Sequence, residues 1–389
     1  MIVFRPSEAI SRVQQSSLRP TFAAPPGVVS LAMGEPDFPT PEPIAEALRQ
    51  AIRDGHTHYG DLNGDPELRA LIADRAGRLS AEPYGENTVV ISHGGSAAIT
   101  ASVLAVVDPG DRVVIPEPTY SLYPDAVRLA GGEPVLVPMT ANHHLDFDAL
   151  TAALPGARMV VLCNPSNPTG AVLPPEDLAR LGELLDGTDT LVLVDEAYAD
   201  LVYGGVPFVS SLSVTSLRDR LIYVNTLSKT YAMTGWRIGY AIAPAEVTTA
   251  IRHVHRTFNG SVNAAVQRAA LVALQLGPEI AAPMFEAYQE RRDFVAKRLA
   301  ATDLLHGNEP EGAFYAFARY DADLPSTDVT RFLLEEGVAV RAGGEYGPSG
   351  HRHIRLSFAA SLDTLDEGIT RITTALERLR TTGVSSAQA

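Results

Sequence analysis

TLVLVD at 190–195 and RLIYVN at 220–225 are short runs that are apolar except near their ends. A half-exposed strand alternates apolar and polar residues, whereas a continuous run of this length suits a strand covered on both faces. The same texture recurs in TVVIS at 88–92, DRVVIP at 111–116, EPVLVP at 133–138, RMVVLC at 158–163 and GYAIA at 239–243. Amphipathic stretches such as SAAITASVLAVVD and PEDLARLGELLDG lie between them. The alternation predicts an α/β fold in which helices flank both sides of a mostly parallel sheet.

Beyond residue 280 the texture changes. A long charged helix, MFEAYQERRDFVAKRLA, is followed by strand-like GAFYAFARY, a helix at TDVTRFLLEEG and a strand at HIRLSF. This predicts a smaller α+β domain. The expected division is a large domain over 46–280 and a small domain over 281–389, joined by an N-terminal arm over 1–45. The last stretch, TTGVSSAQA, is small and polar and reads as a frayed tail.

The chain has 389 residues and a net charge of −15. That charge repels phosphate backbones and anionic lipid, which argues against nucleic acid and membrane surfaces as partners. One cysteine, Cys163, allows neither an internal disulfide nor a CxxC motif, as suits a reducing cytoplasm. No apolar run approaches the roughly 20 residues that span a bilayer, and no targeting segment is read at the N-terminus. The histidine pairs His56/His58, His143/His144, His253/His255 and His351/His353 lack the spacing of a zinc site, so no metal is expected.

Chemistry is carried where the runs end. RLIYVN leads into Thr226-Leu227-Ser228-Lys229, and Arg237 follows eight residues later. Open α/β sheets bind ligands beyond the carboxyl ends of their strands, so Lys229 reads either as a Schiff-base former beside an anion site or as a surface lysine. TLVLVD ends in Asp195, with Tyr198 three residues on; this acid closes an apolar strand either as the partner of a buried cation or as the cap of the next helix. RMVVLC opens into Asn164-Pro165-Ser166-Asn167-Pro168-Thr169-Gly170, whose prolines restrict the backbone that presents the Asn167 amide. TVVIS runs into His93-Gly94-Gly95-Ser96-Ala97, a turn that either cradles a phosphate at a helix N-terminus or merely needs glycine to be tight.

These segments occur together and in one order with MGEPDFPTP at 33–41, THYGDLNGDPELR at 57–69, EPTYSLYP at 117–124, LSKTYAMTGWRIGYA at 227–241, GAFYAF and HIRLSF. The sequence resembles fold-type I enzymes dependent on pyridoxal 5'-phosphate (PLP), in particular class I/II aminotransferases of the aspartate aminotransferase type. The resemblance implies that Lys229 carries PLP as a Schiff base and that Asp195 pairs with the pyridinium nitrogen. Asn167 and Tyr198 would hydrogen-bond the phenolic oxygen, and Tyr120 would stack on the ring. Backbone N–H groups of Gly95, Ser96 and Ala97 would hold the phosphate, together with Thr226, Ser228 and Arg237. Arg355 would clamp the substrate α-carboxylate, with the Gly34 backbone beside it and Asn167 also near the substrate. Tyr59 would reach the phosphate of a neighbouring subunit, which implies a homodimer.

The implied activity is transfer of an amino group between an L-amino acid and a 2-oxo acid by a ping-pong mechanism, with the Lys229 amine as general base. Elimination, replacement or cyclisation on the same residues is the rival reading, and a non-catalytic PLP-binding regulator a remoter one. Ser96 stands where some dicarboxylate-specific relatives have a lysine. Near the C-terminal part of the site the chain has Arg341 and Glu345, which read either as a mutual ion pair or as a feature favouring a polar or cationic substrate.

Overall fold

The computed structural model describes residues 5–13, 25–80 and 82–382. Its central sheet contains β1 (Val89–Ser92), β2 (Arg112–Glu117), β3 (Glu133–Pro138), β4 (Ala157–Cys163), β5 (Leu191–Asp195), β6 (Leu221–Thr226) and β7 (Gly239–Ile242). Each coincides with a predicted run to within a residue at either end. The spatial order is β1-β7-β6-β5-β4-β2-β3. β7 pairs antiparallel with both β1 and β6, and the other neighbours are parallel.

Continuous apolar runs are needed because successive side chains of a strand serve opposite layers. Val192 and Val194 enter the core that also holds Ile44, Ile72 and Leu181. Leu193 enters the core on the other face, formed with α1 (Gly95–Val106), α2 (Leu122–Ala130) and α3 (Ala245–Asn259). The phase carries Asp195 toward this second layer, where Tyr123 of α2 meets it. EPVLVP departs from the expectation of full burial: β3 pairs only with β2 at the sheet edge, and most of its residues stay partly accessible.

The second unit is a four-stranded antiparallel sheet of order β10-β11-β9-β8, made of β8 (Leu305–His306), β9 (Tyr315–Tyr320), β10 (Arg341–Ala342) and β11 (His353–Ser357). Helices Ala282–Ala300, Ser326–Glu335 and Leu362–Thr382 accompany it. Its core contains Phe314, Ile354 and Leu365 and also Leu31. Val29–Ser30 adds a short parallel pairing to Val338–Ala339, and the Ser357 N–H donates to the Leu31 carbonyl at 2.8 Å. The tail begins later than expected: Thr381 and Thr382 belong to the last helix, and 383–389 lie outside the described residues. Among the described residues no helix is long and apolar enough to cross a membrane.

Candidate active site

A cleft of about 720 Å³ opens where the carboxyl ends of the parallel strands meet the second unit. It is lined by Gly34, Gly95, Ser96, Tyr120, Asn167, Asp195, Tyr198, Thr226, Ser228, Lys229, Arg237 and Arg355, so the fold gathers nearly all the residues singled out from sequence. Ala97 sits in the first turn of α1 outside that lining, and Tyr59 is 97% exposed on this single chain.

Asp195 is buried. Its carboxylate accepts hydrogen bonds from the Tyr123 hydroxyl at 2.8 Å and from the Ala197 N–H at 3.1 Å. The Ala197 bond closes a local turn, since no helix follows Asp195 directly. Burial pushes the carboxyl up from 3.8 to about 6; the two hydrogen bonds and the Lys229 charge oppose this without cancelling it. Its neighbour Glu196 points away, accepting from Ser210 and Ser211.

Lys229 follows β6 by three residues, in a short helix that the Thr226 hydroxyl caps by accepting from the Ser228 N–H. Its Nζ donates to the Gly34 carbonyl at 2.6 Å. Space at Gly34 is limited, because a Cβ there would lie 2.2 Å from the Tyr315 hydroxyl oxygen. Tyr198 and Tyr315 share a hydrogen bond between their hydroxyls at 2.9 Å.

Gly94 ends the turn after β1 at φ 81° and ψ 171°, so the first turn of α1 begins without a side-chain cap. Thr226 lies beside it, its Cβ 3.6 Å from where a Cβ at Gly95 would fall, and its hydroxyl bonds that of Ser228 at 2.8 Å; Arg237 is there too, its Nη2 2.7 Å from where a Cβ at Gly94 would lie. A Cβ at Gly239 would lie 2.9 Å from the Asn225 oxygen, the Gly94 carbonyl carbon and the Gly95 nitrogen. All three are backbone atoms of the sheet and turn, so Gly239→Ala is expected to cost about 1–3 kcal/mol. Denaturant unfolding checks this; an unchanged midpoint would show the turn to be compliant.

Arg355 in β11 is buried under the aromatic faces of Tyr315 and Tyr346, 4.3 Å and 5.3 Å from their centroids. Its guanidinium donates to Asn167 Oδ1 at 3.1 Å and to the Ala32 carbonyl at 2.6 Å, while Nε has no hydrogen-bond partner among the described residues. Arg341 and Glu345 form an ion pair, the first of their two sequence readings.

Sequence reasoning passed over Tyr123, Tyr315 and Tyr346. Tyr123 lies three residues after Tyr120, a spacing that brings two side chains to one side of a helical turn, and the two rings meet edge to face. Tyr315 carries no local signal, because the pairing of β9 with β11 brings it to Arg355, and Tyr346 reaches Arg355 from the turn Gly343–Tyr346 that follows β10. His255, grouped by sequence with His253, instead stacks on His93 beside the turn, Nε2 to Nδ1 at 3.2 Å; burial pushes it down to about 4.

The family described as aminotransferase class I and II matches residues 26–372. The chain belongs to the class I and II aminotransferases. It is 35% identical to the bifunctional aspartate aminotransferase and glutamate/aspartate-prephenate aminotransferase of Petunia hybrida, over 97% of this chain and 82% of that one. It is 38% identical to a probable N-acetyl-LL-diaminopimelate aminotransferase of Bacillus subtilis, over 89% and 88%. Among solved structures, the aspartate aminotransferase of Rhizobium meliloti superposes with a TM-score of 0.88 at 34% identity, covering 97% of this chain and all of the other (100%). The aromatic aminotransferase of Pyrococcus horikoshii does so with 0.87 at 34%, covering 91% and 96%. The fold is thus that of the class I and II aminotransferases, and amino-group transfer is the activity of this chain.

Proposed function

We propose that this aminotransferase uses PLP to move an amino group between an L-amino acid and a 2-oxo acid in a ping-pong cycle. The observation that carries the reading is the buried Asp195 carboxylate, raised by burial and sharing the cleft with Lys229. An acid in such a place favours a bound cation, and a protonated ring nitrogen is one. The uncapped turn of α1 with Thr226, Ser228 and Arg237 suits the phosphate at the other end of the same ligand.

When bound, PLP supplies an electron sink for charge developing at the substrate α-carbon. The chain's own residues do the rest. Asp195 holds the ring-nitrogen proton, and Tyr123 orients its carboxylate. Asn167, whose Oδ1 already accepts from Arg355, has its amide N–H free to donate to the phenolic oxygen, where Tyr198 joins it; Tyr120 stacks on the ring. Backbone N–H groups of Gly95, Ser96 and Ala97 meet the phosphate. Arg355 would hold the substrate α-carboxylate beside Gly34, and the Lys229 amine would act as the general base that takes the proton from the substrate α-carbon.

The proposal includes a homodimer in which exposed Tyr59 reaches the partner's phosphate site. It also includes a division into a large domain, 46–280, and a small domain formed by 1–45 with 281–389, acting in the cytoplasm.

Arg355→Lys keeps the charge and loses the planar fork. It is expected to lower kcat/KM for both amino acid and oxo acid about 100-fold, mainly through KM; loss confined to kcat would contradict a clamp for the carboxylate. The function itself is tested by initial rates with both substrates varied and by release of bound PLP. Parallel double-reciprocal lines and one PLP per chain support it. Ammonia released in step with amino acid consumed, without amino transfer, would favour elimination.

A further inference from the structure

β10 and β11 place Arg341 directly opposite Arg355, so the two side chains leave the same face of the small sheet. Both line the cleft. Of the cations in that lining, Lys229 and Arg237 serve the cofactor in the reading above and Arg355 the α-carboxylate, which leaves Arg341. An arginine beside the clamp would capture a second carboxylate on the substrate. It is already occupied, however: Glu345 closes an ion pair on it, with the two side chains only 12% and 14% exposed. The carboxylate also lies within the field of Arg355, and the next residue, Tyr346, covers the Arg355 guanidinium. Ser96, also in the lining, adds no charge. The lining also carries the acids Glu35 and Asp125, beside the apolar or aromatic Ile99, Leu122, Tyr120 and Tyr315.

Building on the proposed function, we propose that Glu345 sets the substrate class: by occupying Arg341 it denies a second carboxylate its cation, so the enzyme takes amino acids with uncharged, preferentially aromatic or aliphatic, side chains. Selection here works partly by repulsion, since an acidic side chain would meet the Glu345 carboxylate as well as lose the arginine.

The test uses the PLP-loaded enzyme and two unreactive acids, 3-phenylpropionate and maleate, titrated calorimetrically. In the wild-type protein maleate is expected to bind at least about tenfold more weakly. Glu345→Gln keeps the shape and removes the charge, and should move the affinity ratio toward maleate by about tenfold or more. The same shift should appear in kcat/KM for aspartate against phenylalanine. Adding Arg341→Gln should abolish that gain, because the gain acts through the freed guanidinium. A wild-type preference for maleate, an unchanged ratio in Glu345→Gln, or a gain that survives in the double variant would each overturn the assignment. Absence of amino transfer with every amino acid would instead sink the reading of the previous subsection, leaving the two binding ratios to decide this one.

Discussion

Lys229→Ala is expected to slow amino transfer on the order of 10⁴-fold, the upper range for removal of a positioned general base. The amine lies in the cleft, where it donates to the Gly34 carbonyl at 2.6 Å and sits 5.5 Å from the centroid of the Phe314 ring. Its loss removes the hydrogen bond to Gly34 along with weaker contacts, at about 1 kcal/mol for such a bond, so stability should change far less than the rate. Rate and stability therefore separate, which a misfolded variant would not allow. A small primary amine added to the buffer should restore part of the rate, because it can enter the cleft and move the same proton. Turnover within tenfold of wild type, with the melting transition intact, would remove Lys229 from the chemistry.

Asp195→Asn should lose about 10²–10⁴-fold in kcat/KM. Removing one member of a buried charge pair costs about 3–5 kcal/mol, and each 1.36 kcal/mol is tenfold in rate. The shape is kept, since an asparagine can still accept from Ala197 and meet the Tyr123 hydroxyl. Stability of the cofactor-free protein should move the other way. Burial raises this carboxyl from 3.8 to about 6, so the folded chain holds the proton more tightly than the unfolded chain does. The stabilising contribution is complete below about pH 4 and is lost as pH rises through about 6, leaving a cost of order 1–3 kcal/mol at neutral pH. Asp195→Asn cannot ionise and escapes that cost. Melting of the cofactor-free proteins at pH 4.5 and pH 7 checks this: the wild type should lose stability relative to the variant on going to pH 7. A relative gain would mean that the ionised carboxylate already has a good partner without cofactor.

Much of the fold was legible because each strand of the large sheet is a continuous apolar run, and the two-residue alternation makes that run necessary when both faces are covered. EPVLVP carried the same texture and misled on burial, because position at a sheet edge is not written in a strand's own residues. Lys229, Asp195 and Asn167 were legible because each ends such a run or lies within about one turn after it, where an open sheet presents its ligand site. Tyr123 was within reach, one helical turn from Tyr120. Tyr315 and His255 were not, since their partners lie far away in the chain, and Tyr346 was not, because it reaches Arg355 through an irregular turn rather than a regular spacing.

By itself the sequence determined which segments become strands and helices, and which polar residues stand at strand ends, because both depend on local periodicity. Only the tertiary structure decided the order β1-β7-β6-β5-β4-β2-β3 and the reversed direction of β7. It alone brought Gly34 to Lys229 across 195 residues and Asn167 to Arg355 across 188. Such contacts form only when separate layers bury their apolar faces against one another. The Arg341–Glu345 ion pair is local, four residues apart, but the pairing of β10 with β11 is what sets it beside Arg355 in the cleft.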